Sequence, residues 1–167
     1  MFETFYPDRE ALDSVSIDYE GLYEKGMRGV IFDIDNTLVP HGAPADERAK
    51  ALFKRLREIG YRTIVLSNNK EPRVRSFAED VGSLYIYKAG KPGRKGYLQA
   101  MEKLQTRPDT TIFVGDQLFT DVWGAKKVGI LTYLVRPIHP REEIQIVLKR
   151  YLEKSILHLY HRNKDER

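Results

Sequence analysis

Short apolar runs alternate with amphipathic stretches along most of this chain. Val30-Ile31-Phe32, then 61–67 (YRTIVLS), 84–90 (LYIYKAG), 110–116 (TTIFVGD) and 130–137 (ILTYLVRP), read as buried strands rich in β-branched and aromatic residues. Between them apolar positions recur at helical spacing. Ala49, Leu52, Phe53 and Leu56 follow Asp46, which is placed to cap a helix, and Gly60 is placed to stop it. Val74, Phe77, Ala78 and Val81 mark a second helix ending at Gly82. The stretch 95–105 predicts a third, with Leu98, Met101 and Leu104 facing in, and 118–129 a fourth, closed by Gly129. A long helical pattern from about 141 to 161 follows Pro140, a helix-start residue.

Strands alternating with helices predict parallel βαβ units with helices on both faces of the sheet. The expected fold is α/β, a Rossmann-like three-layer sandwich around a mainly parallel sheet of about five strands. One domain is expected over 1–167, divided into an N-terminal segment 1–25, a catalytic core 26–136 and a C-terminal amphipathic helix 137–167. In such sheets ligands bind beyond the carboxyl ends of the strands. The polar residues stand at those ends: Asp33 and Asp35, Ser67 and Asn68, Lys88 and Lys91, and Asp116.

Three carboxylates in one crevice need a countercharge. A hard divalent cation with oxygen ligands supplies it, and Mg²⁺ suits a site with few carboxylates and a substrate phosphate. Lys91 and the donors at Ser67 and Asn68 suit phosphate oxygens. Together they describe phosphoryl transfer by positioning and charge neutralisation. Asp33 is a candidate nucleophile through an aspartyl-phosphate. Asp35, two residues on along a strand, points the same way and is a candidate general acid and base. That role calls for a raised pKa. Asn36 and Thr37 turn the chain out of the sheet.

"DIDNT" at 33–37 resembles the first motif of the haloacid dehalogenase (HAD) phosphatase superfamily. "IVLSN" at 64–68, Lys91 before Pro92, and "GDQLFTD" at 115–121 resemble its second, third and fourth motifs, in order and each after an apolar strand. The resemblance implies that Asp33 is nucleophile and metal ligand, and that Asp35 is acid/base and binds the metal through its backbone carbonyl. It implies that Ser67 holds the phosphate, that Lys91 holds the phosphate and the nucleophile's charge, and that Asp116 is a metal ligand. Asp121 and Thr37 would support the site. Only 31 residues separate Asp35 from Ser67 and 23 separate Ser67 from Lys91, so neither gap has room for a cap domain. That resembles the capless subfamily IIIA, whose open crevices favour large or surface-bound phosphates. The only flap would be the turn VPHGAP. The opening stretch is similar to the YqeG-like family and to phosphatidylglycerophosphate phosphatases, which implies a lipid phosphomonoester. The alternatives are soluble sugar, nucleotide or polynucleotide phosphates, or a non-catalytic interaction module with the same fold.

Composition narrows this further. Charged residues make up 31% and apolar ones 41%, as in a folded, water-exposed protein. No apolar run approaches the ~18 residues of a membrane span. The N-terminus lacks a secretory pattern, and the absence of cysteine excludes disulfides and thiolate chemistry. The expected address is cytoplasmic, with peripheral contact at the inner face of the membrane. Residues 1–25 hold seven acids and two bases, so the remaining 142 carry a net +9. An anionic partner suits such a body. In the last helix, Ile144, Val147, Leu148, Tyr151, Leu152, Ile156, Leu159 and Tyr160 form a broad apolar stripe. Lys149, Arg150, Lys154, His158, His161 and Arg162 form its basic complement. Such a helix fits an anionic membrane surface, the protein core or a second copy. His41, His139, His158 and His161 read as surface residues. The basic loop 88–96 lacks the interleaved aromatics of single-strand binders, so nucleic acid is not an expected partner.

Overall fold

The computed structural model describes residues 2–139 and 144–165, without the side chains of 144–147. Arg9–Ala11 (β1), Gly29–Phe32 (β2), Arg62–Leu66 (β3), Leu84–Ile86 (β4), Thr111–Gly115 (β5) and Leu131–Val135 (β6) form one sheet. Its order is β1-β6-β5-β2-β3-β4, with every neighbouring pair parallel. The helices are Tyr19–Glu24 (α1), Glu47–Ile59 (α2), Glu71–Val81 (α3), Arg94–Leu104 (α4), Trp123–Lys126 (α5) and Ile144–Asp165 (α6).

Side chains alternate across each strand. Val30, Phe32, Val65, Ile112 and Val114 enter one core with Leu52, Phe53 and Leu56 of α2 and Val74 and Phe77 of α3. Ile31, Ile64, Leu66 and Phe113 enter the other with Tyr97, Ala100, Met101 and Leu104 of α4. Because both faces are covered, the inner strands are continuously apolar. This is the expected three-layer α/β sandwich. Asp46 caps α2 by accepting the Ala49 N–H at 2.8 Å, and α2 ends at Gly60.

The sheet has six strands rather than five. Arg9-Glu10-Ala11 is three residues long and two of them are charged, so it carries no alternation to read. It pairs with β6 because Asp8 fixes it there: Asp8 accepts from the Thr132 N–H and hydroxyl, both at 2.9 Å. In α4 the inward residues are Tyr97, Ala100, Met101 and Leu104. Leu98 is 52% exposed, because the buried face is set by Tyr97 one position earlier. The stretch after β5 opens as a π-helical turn, Leu118–Val122, before α5.

The proposed start at Pro140 lies outside the described residues. From Ile144 on, α6 divides the predicted stripe. Ile156 is buried with Leu118, Val122 and Leu134, and Tyr160 packs edge-on against Tyr6. Leu148, Tyr151 and Leu152 are 62–69% exposed. The acidic N-terminal segment lies on basic parts of the body. Asp8, Glu10, Asp13 and Glu20 pair with Lys126, His161, Arg48 and Arg55 at 2.6–3.4 Å.

Candidate active site

The carboxyl ends of β2 and β5 lie side by side, and each continues into an aspartate. Asp33 and Asp116 are thereby brought together, and the π-helical turn returns Asp121 beneath them. One carboxylate oxygen from each of the three lies within 4.8 Å of the others, and all three residues are buried. Lys91 enters from the loop after β4. Its Nζ donates to Asp33 Oδ1 at 2.8 Å and to Asp121 Oδ1 at 2.7 Å. Asn68 holds the Lys91 backbone from both sides: Oδ1 accepts its N–H at 2.8 Å and Nδ2 donates to its carbonyl at 3.1 Å. That ties the Asn68 side chain to the Lys91 backbone and leaves one N–H of its amide for another acceptor. The Thr37 hydroxyl donates to Asp116 Oδ1 at 2.9 Å and lies 3.4 Å from Asp33 Oδ2. Asn36 makes the turn between them in the left-handed region at φ 61°, a conformation asparagine tolerates better than most residues. Ser67 is buried at the end of β3, and its oxygen accepts the Asn69 N–H at 3.1 Å.

Burial and the neighbouring carboxylates push Asp116 up, against Arg150. Burial and Asp33 push Asp121 up to about 6, against Lys91. For Lys91 burial acts downward, but Asp121 and Asp33 outweigh it and hold the ammonium charged well above the ordinary lysine range. Three carboxylates thus share too little positive charge, and this surplus is what a divalent cation would neutralise. An all-oxygen, carboxylate donor set is the set that hard cations take.

Asp35 differs from the expectation. Its Oδ1 accepts the Gly42 N–H of the flap at 2.8 Å and an Arg73 N–H at 3.0 Å. Burial raises its pKa, but the Gly42 and Arg73 contacts prevail and hold it below the ordinary aspartate value. These contacts are made to the charged form. Among the described residues the Asp35 carboxylate stands outside the group that could hold a metal.

Three further residues belong to the site, and the sequence reading does not assign them to it. Arg73 of α3 meets Asp35, and its Nε is buried without a partner. Arg150 of α6 donates to Asp116 Oδ2 and to the Asp116 carbonyl, both at 2.6 Å. Glu153, one turn on, is 4% exposed, pairs with Arg150 at 3.4 Å and accepts the Leu118 N–H at 3.1 Å. An acid within the apolar stripe of α6, three residues after an arginine, was the one available hint.

Comparison with known proteins gives the family. Residues 42–129 match the family described as haloacid dehalogenase-like hydrolase. The chain is 36% identical to the probable phosphatase YqeG of Bacillus subtilis over 154 residues, covering 92% of this chain and 90% of that one. The chain belongs to the haloacid dehalogenase-like hydrolases. It is a phosphoric monoester hydrolase of that family, although the residues matched by the family begin after Asp33 and Asp35. It is also 31% identical to the chloroplastic/mitochondrial phosphatidylglycerophosphate phosphatase 1 of Arabidopsis thaliana. That match covers 84% of this chain but only 46% of the plant protein. Among solved structures, a HAD phosphatase from Thermococcus onnurineus superposes with TM-score 0.54 at 19% identity, covering 71% of this chain and 90% of that one. The cobalt-bound deoxy-D-mannose-octulosonate 8-phosphate phosphatase of Haemophilus influenzae gives 0.53 at 18%, covering 65% and 68%. These two likenesses are of fold.

Proposed function

We propose that this HAD hydrolase is a Mg²⁺-dependent phosphatase that works through an aspartyl-phosphate on Asp33 and acts on a lipid phosphomonoester such as phosphatidylglycerophosphate. The observation that carries the mechanism is Lys91, buried and bonded to Asp33, beside Asp116 and Thr37 at the strand ends. Asp33 Oδ2 attacks phosphorus, and the bond to the leaving oxygen breaks. Asp35 gives that oxygen its proton, then as carboxylate takes one from the water that cleaves the Asp33–phosphate bond. The contacts of Asp35 to Arg73 and Gly42 fit its charged, water-activating form, so the first step requires Arg73 to release it. Lys91 neutralises Asp33 and the incoming phosphate. Ser67, whose oxygen accepts from Asn69, keeps its proton for a phosphate oxygen. A bound Mg²⁺ would be held by Asp33, Asp116 and the Asp35 carbonyl, and would supply charge neutralisation at the phosphate.

Three observations support the lipid reading: the similarity to phosphatidylglycerophosphate phosphatases, a flap no larger than residues 39–44, and the exposed Leu148, Tyr151 and Leu152 near Lys149 and Lys154. That face of α6 would rest on an anionic membrane from the cytoplasmic side. Among the described residues no helix is long and apolar enough to cross a membrane.

Phosphate release from an aryl phosphate should require Mg²⁺ and should vanish in Asp33→Asn. Full turnover in that variant would refute the covalent step. Phosphatidylglycerophosphate in anionic vesicles should be turned over faster than sugar phosphates or 3′-phosphorylated oligonucleotides. A clear preference for a soluble class would remove the lipid assignment.

A further inference from the structure

A groove of about 570 Å³ runs along the same edge of the sheet as the catalytic crevice, roofed by α6. Its floor is the carboxyl ends of β1 and β6, and its inner end is Asp116 itself. The groove therefore reaches the candidate active site at Asp116 and the Arg150 bonded to it. Strands are spaced ~4.8 Å apart, so β1 stands on the order of 14 Å from β2, which delivers Asp33. A phosphate ion fills only the inner end of such a space.

The chemistry of the lining is mixed in a particular way. Leu12, Val135, Pro137 and Leu157 are apolar, and Leu12 is 61% exposed at the rim. The acids of the lining are already engaged. Glu10 bonds His161 at 2.8 Å, Glu153 accepts the Leu118 N–H and pairs with Arg150, and Asp116 is bonded by Arg150 and Thr37. Arg136 and Lys154 form no ion pair with any described residue. Among the described residues the groove thus offers two cations without an ion pair beside an apolar floor, and these call for a ligand that is anionic and apolar at once.

We propose that this groove is the subsite for the part of the substrate beyond the scissile phosphate. Its occupant is a glycerol phosphodiester, paired with Arg136 and Lys154, with the first carbons of its acyl chains on Leu12 and Val135. The proposal rests on the lipid reading given above and assigns the residues that would enforce it. A sugar phosphate lacks both the second phosphate and the apolar portion, and leaves those cations and that floor unused. Arg136 and Leu12 touch no reacting atom, so they select the substrate without taking part in the chemistry.

The test compares short-chain dihexanoyl phosphatidylglycerophosphate, as monomer, with an aryl phosphate. In Arg136→Glu and Leu12→Glu, kcat/KM on the lipid should fall about tenfold or more, mainly through KM, as reversal or insertion of a charge at a recognition rim does. Turnover of the aryl phosphate should stay at the wild-type level, which also shows that the variants are folded. Dihexanoyl phosphatidylglycerol, which has the diester but no monoester, should inhibit aryl phosphate hydrolysis competitively in the wild type and poorly in Arg136→Glu. Inhibition by inorganic phosphate should be the same in both. Wild-type lipid turnover in the variants, or equal loss on both substrates, overturns the subsite while leaving the lipid phosphatase intact. A wild-type enzyme that does not favour the lipid overturns the lipid reading and the groove assignment together.

Discussion

Glu153 shows how a single buried acid couples the helix to the site. Burial pushes its carboxyl up to about 7, against the pull of Arg150 and the N–H groups of Phe119 and Leu118. The unfolded chain releases that proton near the ordinary value of 4.5. Between those two values the folded state binds more protons than the unfolded one, so stability falls as pH rises from about 4.5 to about 7 and is level above. The contribution is at most about 3 kcal/mol. Urea unfolding of the metal-free protein at pH 5 and pH 8 should show this loss, and Glu153→Gln should show a smaller one. Parallel behaviour of the two proteins would refute the assignment. The placement of Asp33, Asp35, Ser67, Lys91, Asp116 and Asp121 beyond the strand ends was legible in the sequence, because each sits at a fixed offset from a strand; their roles belong to the proposal. Arg150 and Arg73 were not legible. Their partners lie 34 and 38 positions away, and no periodicity links such pairs. The lowered pKa of Asp35 was missed for the same reason, since it depends on Arg73.

At the scale of elements, β2, β3, β5 and β6 were readable because double-sided burial makes a strand apolar throughout. β1 was not, being held at the edge by Asp8 rather than by burial. The turn after β5 is built on close approach. A Cβ on Gly115 would stand 2.6 Å from the Asp121 carboxylate, and one on Gly124 would stand 2.6 Å from Cζ of the Tyr97 ring. These two contacts predict different consequences. Gly124→Ala presses on a fully buried ring whose hydroxyl donates to the Thr120 carbonyl at 2.6 Å, and should cost about 2 kcal/mol of stability by overpacking. Gly115→Ala pushes Asp121 off Lys91 and should lower kcat more than it lowers the melting temperature. Differential scanning calorimetry alongside aryl phosphate kinetics separates the two. Equal effects on both quantities in both variants would show that the turn does not act through Asp121.

For the whole molecule, the uneven charge has a structural outcome. Four acids of the N-terminal segment pair with Lys126, His161, Arg48 and Arg55 of the body, which leaves the rest of the chain with the excess of positive charge. Exposed pairs of this kind contribute about 0–1 kcal/mol each, so the segment is held mainly by Ile17 and Tyr19, which are buried in the core, by β1, and by Phe5 and Tyr6 on Phe119 and Tyr160. Binding to phosphatidylglycerol vesicles should weaken as salt is raised, because the attraction is screened within about 8 Å at physiological ionic strength. Leu148→Ser with Leu152→Ser should reduce binding further in vesicle sedimentation. Undiminished binding by that double variant would remove α6 from the membrane contact.

The pairing of β1 with β6 also orders events in time. Asp8 and Thr132 bond across 124 positions, and Arg150 reaches Asp116 from later still. A chain extruded from a ribosome at about 5–20 residues per second delivers Arg150 on the order of ten seconds after Asp33. During that interval the nascent protein has Asp33 but neither the outer strand pair nor the arginine at Asp116. The contacts that Arg150 makes with Asp116 therefore form only after α6, which also roofs the groove, has been made.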